Sequence, residues 1–105
     1  MGEETTIATR PPDWAEEAGL SYRKLDYWTR QGWLRPLQEY AGPGFPRSWP
    51  ENERAIALLM GRLVDAGVTP ATAALAARRF EAMRGRGGAL VRLEIAEGIS
   101  LVIER

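Results

Sequence analysis

The chain has 105 residues, with 14 Lys or Arg against 14 Asp or Glu and neither His nor Cys, a length that fits one domain. The two missing residue types remove imidazole acid–base catalysis, thiolate nucleophiles and both preferred zinc ligands. The expectation is therefore a binding protein rather than an enzyme, with no cofactor and no metal. No apolar run reaches the roughly 18 residues that a membrane span needs. The start, Met1-Gly2-Glu3-Glu4, lacks the basic and apolar regions of a secretory signal. A cytoplasmic protein without membrane contact is expected.

Residues 1–9 are polar and read as frayed. Pro11-Pro12 opens a short helix, with Asp13, Glu16 and Glu17 near its positive end, and Gly19 stops it. Leu20 follows, and Ser21 reads as the N-cap of a second helix over 22–31. Leu25 and Trp28 share one face of that helix by i, i+3 spacing, with Tyr22 beside them. Arg23, Lys24, Tyr27 and Arg30 occupy the other faces. Gly32 closes the helix in a left-handed conformation, and Trp33-Leu34 turns back to the core. Two helices joined by a short glycine-containing turn form a helix-turn-helix.

From Pro36 to Pro50 the chain is rich in Pro, Gly and aromatics. Tyr40-Ala41-Gly42-Pro43-Gly44 reads as a turn tip. Phe45, Arg47 and Trp49 alternate as one short strand, and residues 37–40 supply the other arm of a wing. Pro50-Glu51-Asn52-Glu53 opens a third helix, with Ser48 or Trp49 near its cap. Its core stripe is Ile56, Leu59, Met60, Leu63 and Val64, and Gly67 ends it. Thr69 caps a fourth helix with Pro70 in its first turn. The apolar stripe there is Ala73, Ala76, Ala77, Phe80 and Met83. Gly85-Arg86-Gly87-Gly88 breaks that helix and reads as a linker. In the tail, Val91, Leu93 and Ile95, then Ile99, Leu101 and Ile103, alternate with polar residues as a hairpin with one apolar face. A lone hairpin is not stable, so it must pack on the fourth helix or on a second copy of the chain.

The zero net charge is unevenly distributed. Residues 20–50 carry a net +3 and residues 78–92 a net +4, while residues 1–19 carry −4. Basic patches, not totals, steer a chain to phosphate. All basic residues except Lys24 are Arg. Arginine suits bidentate phosphate and guanine contacts, and it is also what a GC-rich genome encodes by default. Arg78, Arg79, Arg84 and Arg86 have two readings, a second DNA contact or a solvated face. Trp14, Trp28, Trp33 and Trp49 are read as mostly core rather than as a stacking platform for single strands.

Residues 20–50 resemble the DNA-binding domain of the MerR family. The matching run is Leu20-Ser21-Tyr22-Arg23-Lys24-Leu25-Asp26-Tyr27-Trp28-Thr29-Arg30-Gln31-Gly32-Trp33-Leu34-Arg35-Pro36, followed by Gly44-Phe45 and Arg47-Ser48-Trp49. The run Arg62-Leu63 to Gly67-Val68-Thr69 extends the likeness, which covers about residues 7–80. The resemblance implies a mainly α, MerR-like winged helix-turn-helix of four helices with a short β-wing, here followed by the C-terminal hairpin. It implies double-stranded DNA as partner and transcription regulation as function, with RNA polymerase as a further partner. Helix 21–31 would enter the major groove, with Ser21, Tyr22, Arg23 and Lys24 at its leading end. Tyr27, Arg30, Arg35 and Arg47 would meet the phosphate backbone. Asp26 stands where many members carry Arg, and it is expected to orient Arg23 or Arg30.

The expected organisation is one domain over 1–105, with a DNA-binding region over 7–84 and a hairpin over 85–105 that serves homodimerisation. Family regulators usually continue into a dimerisation helix and an effector domain. The expectation here is a short form without effector sensing. Two further functions are weighed: an excisionase-like architectural protein that bends DNA, and a winged-helix scaffold turned to protein interaction.

Overall fold

Among the described residues, four helices and one β-hairpin follow one another along the chain: α1 (Asp13–Glu17), α2 (Tyr22–Arg30), α3 (Glu51–Asp65), α4 (Pro70–Met83), β1 (Leu90–Ala96) and β2 (Ile99–Glu104). The structure, a computed structural model, describes residues 10–38, 47–84 and 90–104. The expectations for residues 1–9, the wing tip at 40–44 with Phe45, and the linker at 85–88 lie outside the described residues.

Local chemistry sets the helix ends. Pro12 is the N-cap of α1, and its carbonyl accepts from the Ala15 and Glu16 N–H groups at 3.0 and 2.9 Å. Ser21 caps α2 as expected, its hydroxyl oxygen accepting from the Lys24 N–H at 3.1 Å. Gly32 has φ +82°, which a side chain rarely adopts. That turn lets the Trp33 and Leu34 N–H groups reach back to the Trp28 carbonyl, at 3.0 and 3.3 Å, and sends Leu34 into the core. The start of α3 differs from the expectation: Pro50 is its N-cap and no side chain caps that helix. Thr69 is the N-cap of α4 with Pro70 in the first turn, as expected, although its hydroxyl donates to the Thr72 hydroxyl rather than accepting from a backbone N–H.

The core joins Leu20, Leu25, Trp28 and Leu34 from the helix-turn-helix to Ile56, Ala57, Met60 and Leu63 of α3 and to Ala73, Ala74, Ala76 and Ala77 of α4. The buried face of α3 is rotated from the expected stripe: Glu53, Ala57 and Gly61 are buried, while Leu59 and Val64 are half-buried. At Gly61 a Cβ would lie 2.8 Å from the Leu20 Cδ2, so glycine lets the α1–α2 turn sit directly on α3. The small residues of α4 give a similarly close seat for α3. Trp28 is buried, and Trp14, Trp33 and Trp49 pack against the core at half exposure. Trp14 and Trp49 meet edge to face at 5.5 Å, tying α1 to the segment before α3.

The base of the wing is one antiparallel bridge. Leu37 and Ser48 exchange N–H···O bonds of 2.8 and 2.7 Å. The arrangement is a winged helix-turn-helix. The C-terminal hairpin packs on α4 through β1, and Leu93 enters the core with Leu101 and Ile103 against it. The expected single apolar face holds only in part. The register shifts between Glu94 and Ala96, and this bulge leaves Ile95 and Ile99 at the turn end exposed. Met83, expected in the α4 stripe, is exposed as well.

Candidate nucleic-acid interface

The outward face of α2 is fixed by what its inward face must bury. Leu25 and Trp28 are each 2% exposed and hold the helix down. Positions 23, 26, 27 and 30 then share the opposite side, since residues three and four apart are neighbours on a helix. Arg23 and Tyr27 are exposed there. Tyr27 also meets Trp33 edge to face at 6.0 Å, which fixes its ring beside the Gly32 turn. Arg30 is wide open, with its side chain 74% exposed.

Asp26 organises this face. Its Oδ2 lies 3.0 Å from Nε of Arg30, one helical turn on. Its Oδ1 accepts from Nη2 of Arg47 at 2.9 Å, across the gap to the wing base. The expected pairing with Arg30 is present, and the second partner is Arg47 rather than Arg23. The Arg47 and Asp26 side chains are only 20% and 16% exposed. Thus Arg23, Tyr27, Arg30 and Arg47 form one surface around a carboxylate. Beside it runs a shallow groove between α1 and the start of α2, edged by Glu16, Ser21, Tyr22 and Arg23.

Of the other sequence-selected residues, Ser21 and Tyr22 line that groove with Arg23 and Asp26, while Lys24 and Arg35 are engaged elsewhere. Ser21 is occupied as the α2 cap, and Tyr22 is half-buried beside it. Lys24 leans towards α3, 3.9 Å from Asp65, in an exposed pair of the kind that contributes little. Arg35 is exposed, and its backbone N–H donates to Oε1 of Glu53 at 2.8 Å.

Glu53 and Arg78 are the important residues that sequence reasoning missed. Arg78 donates from Nη1 to Oε2 of Glu53 at 2.8 Å and from Nη2 to Oε1 at 2.9 Å, and the same Nη2 reaches the Trp33 carbonyl at 2.9 Å. Arg78 is therefore engaged within the fold rather than part of a fully solvated face. It is a strut from α4 to the turn that follows α2. Burial pushes the Glu53 carboxyl up. The Arg78 hydrogen bonds, the Arg35 N–H and the charges of both arginines outweigh that and hold it below its ordinary value. Two signals were available. Glu53 lies on the core stripe at i−3 to Ile56, and Arg78 lies at i+4 to Ala74. Of the remaining arginines in that block, Arg79 is exposed and Arg84 lies 3.6 Å from Glu81, while Arg86 falls outside the described residues.

Among the described residues, no group of three or more acidic, His or Cys side chains gathers where a metal ion could be held. No helix there is long and apolar enough to cross a membrane. The fold and the exposed recognition-helix face define a helix-turn-helix protein. No family model matches the chain. Over 64 residues, 60% of the chain, it is 31% identical to uncharacterized HTH-type transcriptional regulators of Mycobacterium tuberculosis and Mycobacterium bovis. The matched stretch is 28% of those proteins, so the chain corresponds to well under half of their length.

Proposed function

We propose that this chain binds double-stranded DNA as a sequence-specific transcription regulator, with α2 in the major groove and the wing base against the backbone. The observation that carries the reading is the shared surface of Arg23, Tyr27, Arg30 and Arg47, which unites the recognition helix with the wing. The mycobacterial relatives, named as transcriptional regulators, support it. The finer assignment to a MerR-like type rests on the motif run over residues 20–36 and 44–49. In this reading Arg30, Arg35, Arg47 and Tyr27 supply phosphate contacts, Tyr22, Arg23 and Lys24 face bases, and Ser21 positions their turn. The protein would act in the cytoplasm beside RNA polymerase. The test is duplex binding across a salt series. Arg23→Ala with Arg47→Ala weakens binding and flattens the logarithmic salt slope by about 0.9 for each phosphate no longer neutralised. Unchanged affinity and slope would remove the assigned surface.

One observation favours a second reading, a protein-interaction scaffold: Asp26 engages two of the arginines on this face. Absence of any salt-dependent duplex binding selects it. For self-association we propose the hairpin, whose Ile95, Ile99 and Val102 are exposed. Sedimentation showing monomer alone at high concentration removes that element.

A further inference from the structure

We propose that Asp26 is a specificity-determining residue of the DNA surface, a carboxylate clamp that makes Arg30 and Arg47 act as a pair. The inference rests on the DNA-binding reading above. An acid in the middle of a phosphate-facing surface opposes every polyanion equally, so its presence has no explanation in affinity alone. The geometry supplies another. One carboxylate oxygen holds the recognition-helix guanidinium at 3.0 Å and the other holds the wing guanidinium at 2.9 Å. Arg47 adjoins Ser48, which is itself fixed to Leu37 by the wing-base bridge. Asp26 therefore sets the span between a helix contact and a wing contact.

Each arginine keeps donors for a phosphate. Arg30 meets Asp26 through Nε, so its Nη1–Nη2 edge is not engaged by the carboxylate. Arg47 meets it through Nη2, which leaves its Nε and Nη1. A duplex whose backbone passes both edges at the fixed span binds two ordered guanidiniums at once, with little side-chain freedom left to lose. A polyanion that meets only one of them competes with Asp26 for it. Repulsion of the wrong partner and ordering for the right one are the two sources of specificity, and Asp26 supplies both.

The experiment uses the full chain and two probes: the duplex that the wild-type chain enriches most from a random pool, and random-sequence duplex. Asp26→Asn is expected to bind random duplex about fivefold more tightly near 0.15 M salt, with a slope steeper by about 0.9, as one extra phosphate contact requires. The selected duplex should change by less than about twofold, so the selectivity ratio falls by at least about 2.5-fold, whereas a counterion effect common to both probes leaves it unchanged. Both probes report on the same folded fraction, so a loss of stability cancels from the ratio. Asp26→Glu, which keeps the charge, should keep the wild-type slope. In an Arg30→Ala, Arg47→Ala background the effect of Asp26→Asn on the ratio should vanish. Duplex binding with an unchanged ratio, a pool that yields no preferred duplex, or a full effect in the double-alanine background each overturns this inference and leaves DNA binding standing. No salt-dependent binding of either probe by the wild-type chain overturns the DNA-binding reading, and the clamp with it.

Discussion

Two carboxylates frame α2, and each holds an arginine from a distant part of the chain. Glu53 sits beneath its C-terminal end, 5% exposed, and binds Arg78 through two parallel N–H···O bonds while accepting from the Arg35 backbone. Asp26 sits on its outer face and binds Arg47 and Arg30 through one oxygen each. The chemistry is the same and the surroundings differ. At Glu53 the Arg78 side chain is 26% exposed, and its third bond ends on the Trp33 carbonyl, so neither partner can turn to water without leaving the other stranded. At Asp26 the Arg30 side chain is 74% exposed and can exchange the carboxylate for solvent or for another anion. Burial thus makes one node a strut, while the Arg30 arm of the other stays open to solvent.

The strongest challenge to this contrast is removal of the inner acid. Glu53→Ala leaves the Arg78 guanidinium and the Arg35 N–H without their acceptor. Breaking such a pair from one side should cost about 3 kcal/mol, read as a lower urea midpoint at an unchanged denaturant slope. Glu53→Gln should recover little of it. Both carboxylate oxygens accept from donors, and an amide NH2 would face one of them. A loss no larger than that of a surface substitution would mean that the Glu53 node is not a strut.

Acid provides a second test of the same node without mutation. The folded carboxyl is held below its ordinary value of 4.5. The unfolded chain therefore takes up this proton more readily than the folded one, and protonation favours unfolding. The contribution of Glu53 is complete above the ordinary value and is lost as pH falls from there through the folded value. Wild-type chain should lose stability over that window by more than Glu53→Gln does, as followed by urea midpoints at successive pH values. Parallel curves for the two proteins would show that the carboxylate charge is not what the node uses.

These contrasts also mark where the sequence was readable. Features set within a few residues were legible: the Ser21 cap, the left-handed Gly32, the Leu25 and Trp28 face, and the antiparallel tail. Each follows from spacing or from one residue's own conformational preference. The Asp26–Arg30 pair was legible for the same reason, being one helical turn long. Asp26–Arg47 and Glu53–Arg78 span loops and whole helices, so only the packed fold brings them together. Glu53 lies in the first turn of α3, where acids are ordinary, yet its place three residues before Ile56 puts a charge on the core stripe. The hairpin alternation was right up to the bulge at Glu94 and Ala96, because a register shift inverts the facing of the side chains beyond it. Of the expected surface residues, Arg23, Tyr27, Arg30 and Arg47 gather on one side of the fold, while their organisation around Asp26 became visible only in three dimensions.

The smallest expected effect sharpens the comparison from the outer node. Asp26→Asn should lower stability by under about 1 kcal/mol, because the Arg30 partner is 74% exposed and a pair with so exposed an arginine contributes little. The substitution removes a charge whose own desolvation opposes folding. Its remaining carbonyl can still accept from Arg47, the less exposed partner, while Arg30 turns its guanidinium to water. The same side-chain change that strands a donor at Glu53 therefore finds a solvent route at Asp26. The measurement is again the urea midpoint, taken at neutral pH beside Glu53→Ala. A loss at Asp26 as large as that at Glu53 would show the wing-base clamp to be a structural strut in its own right.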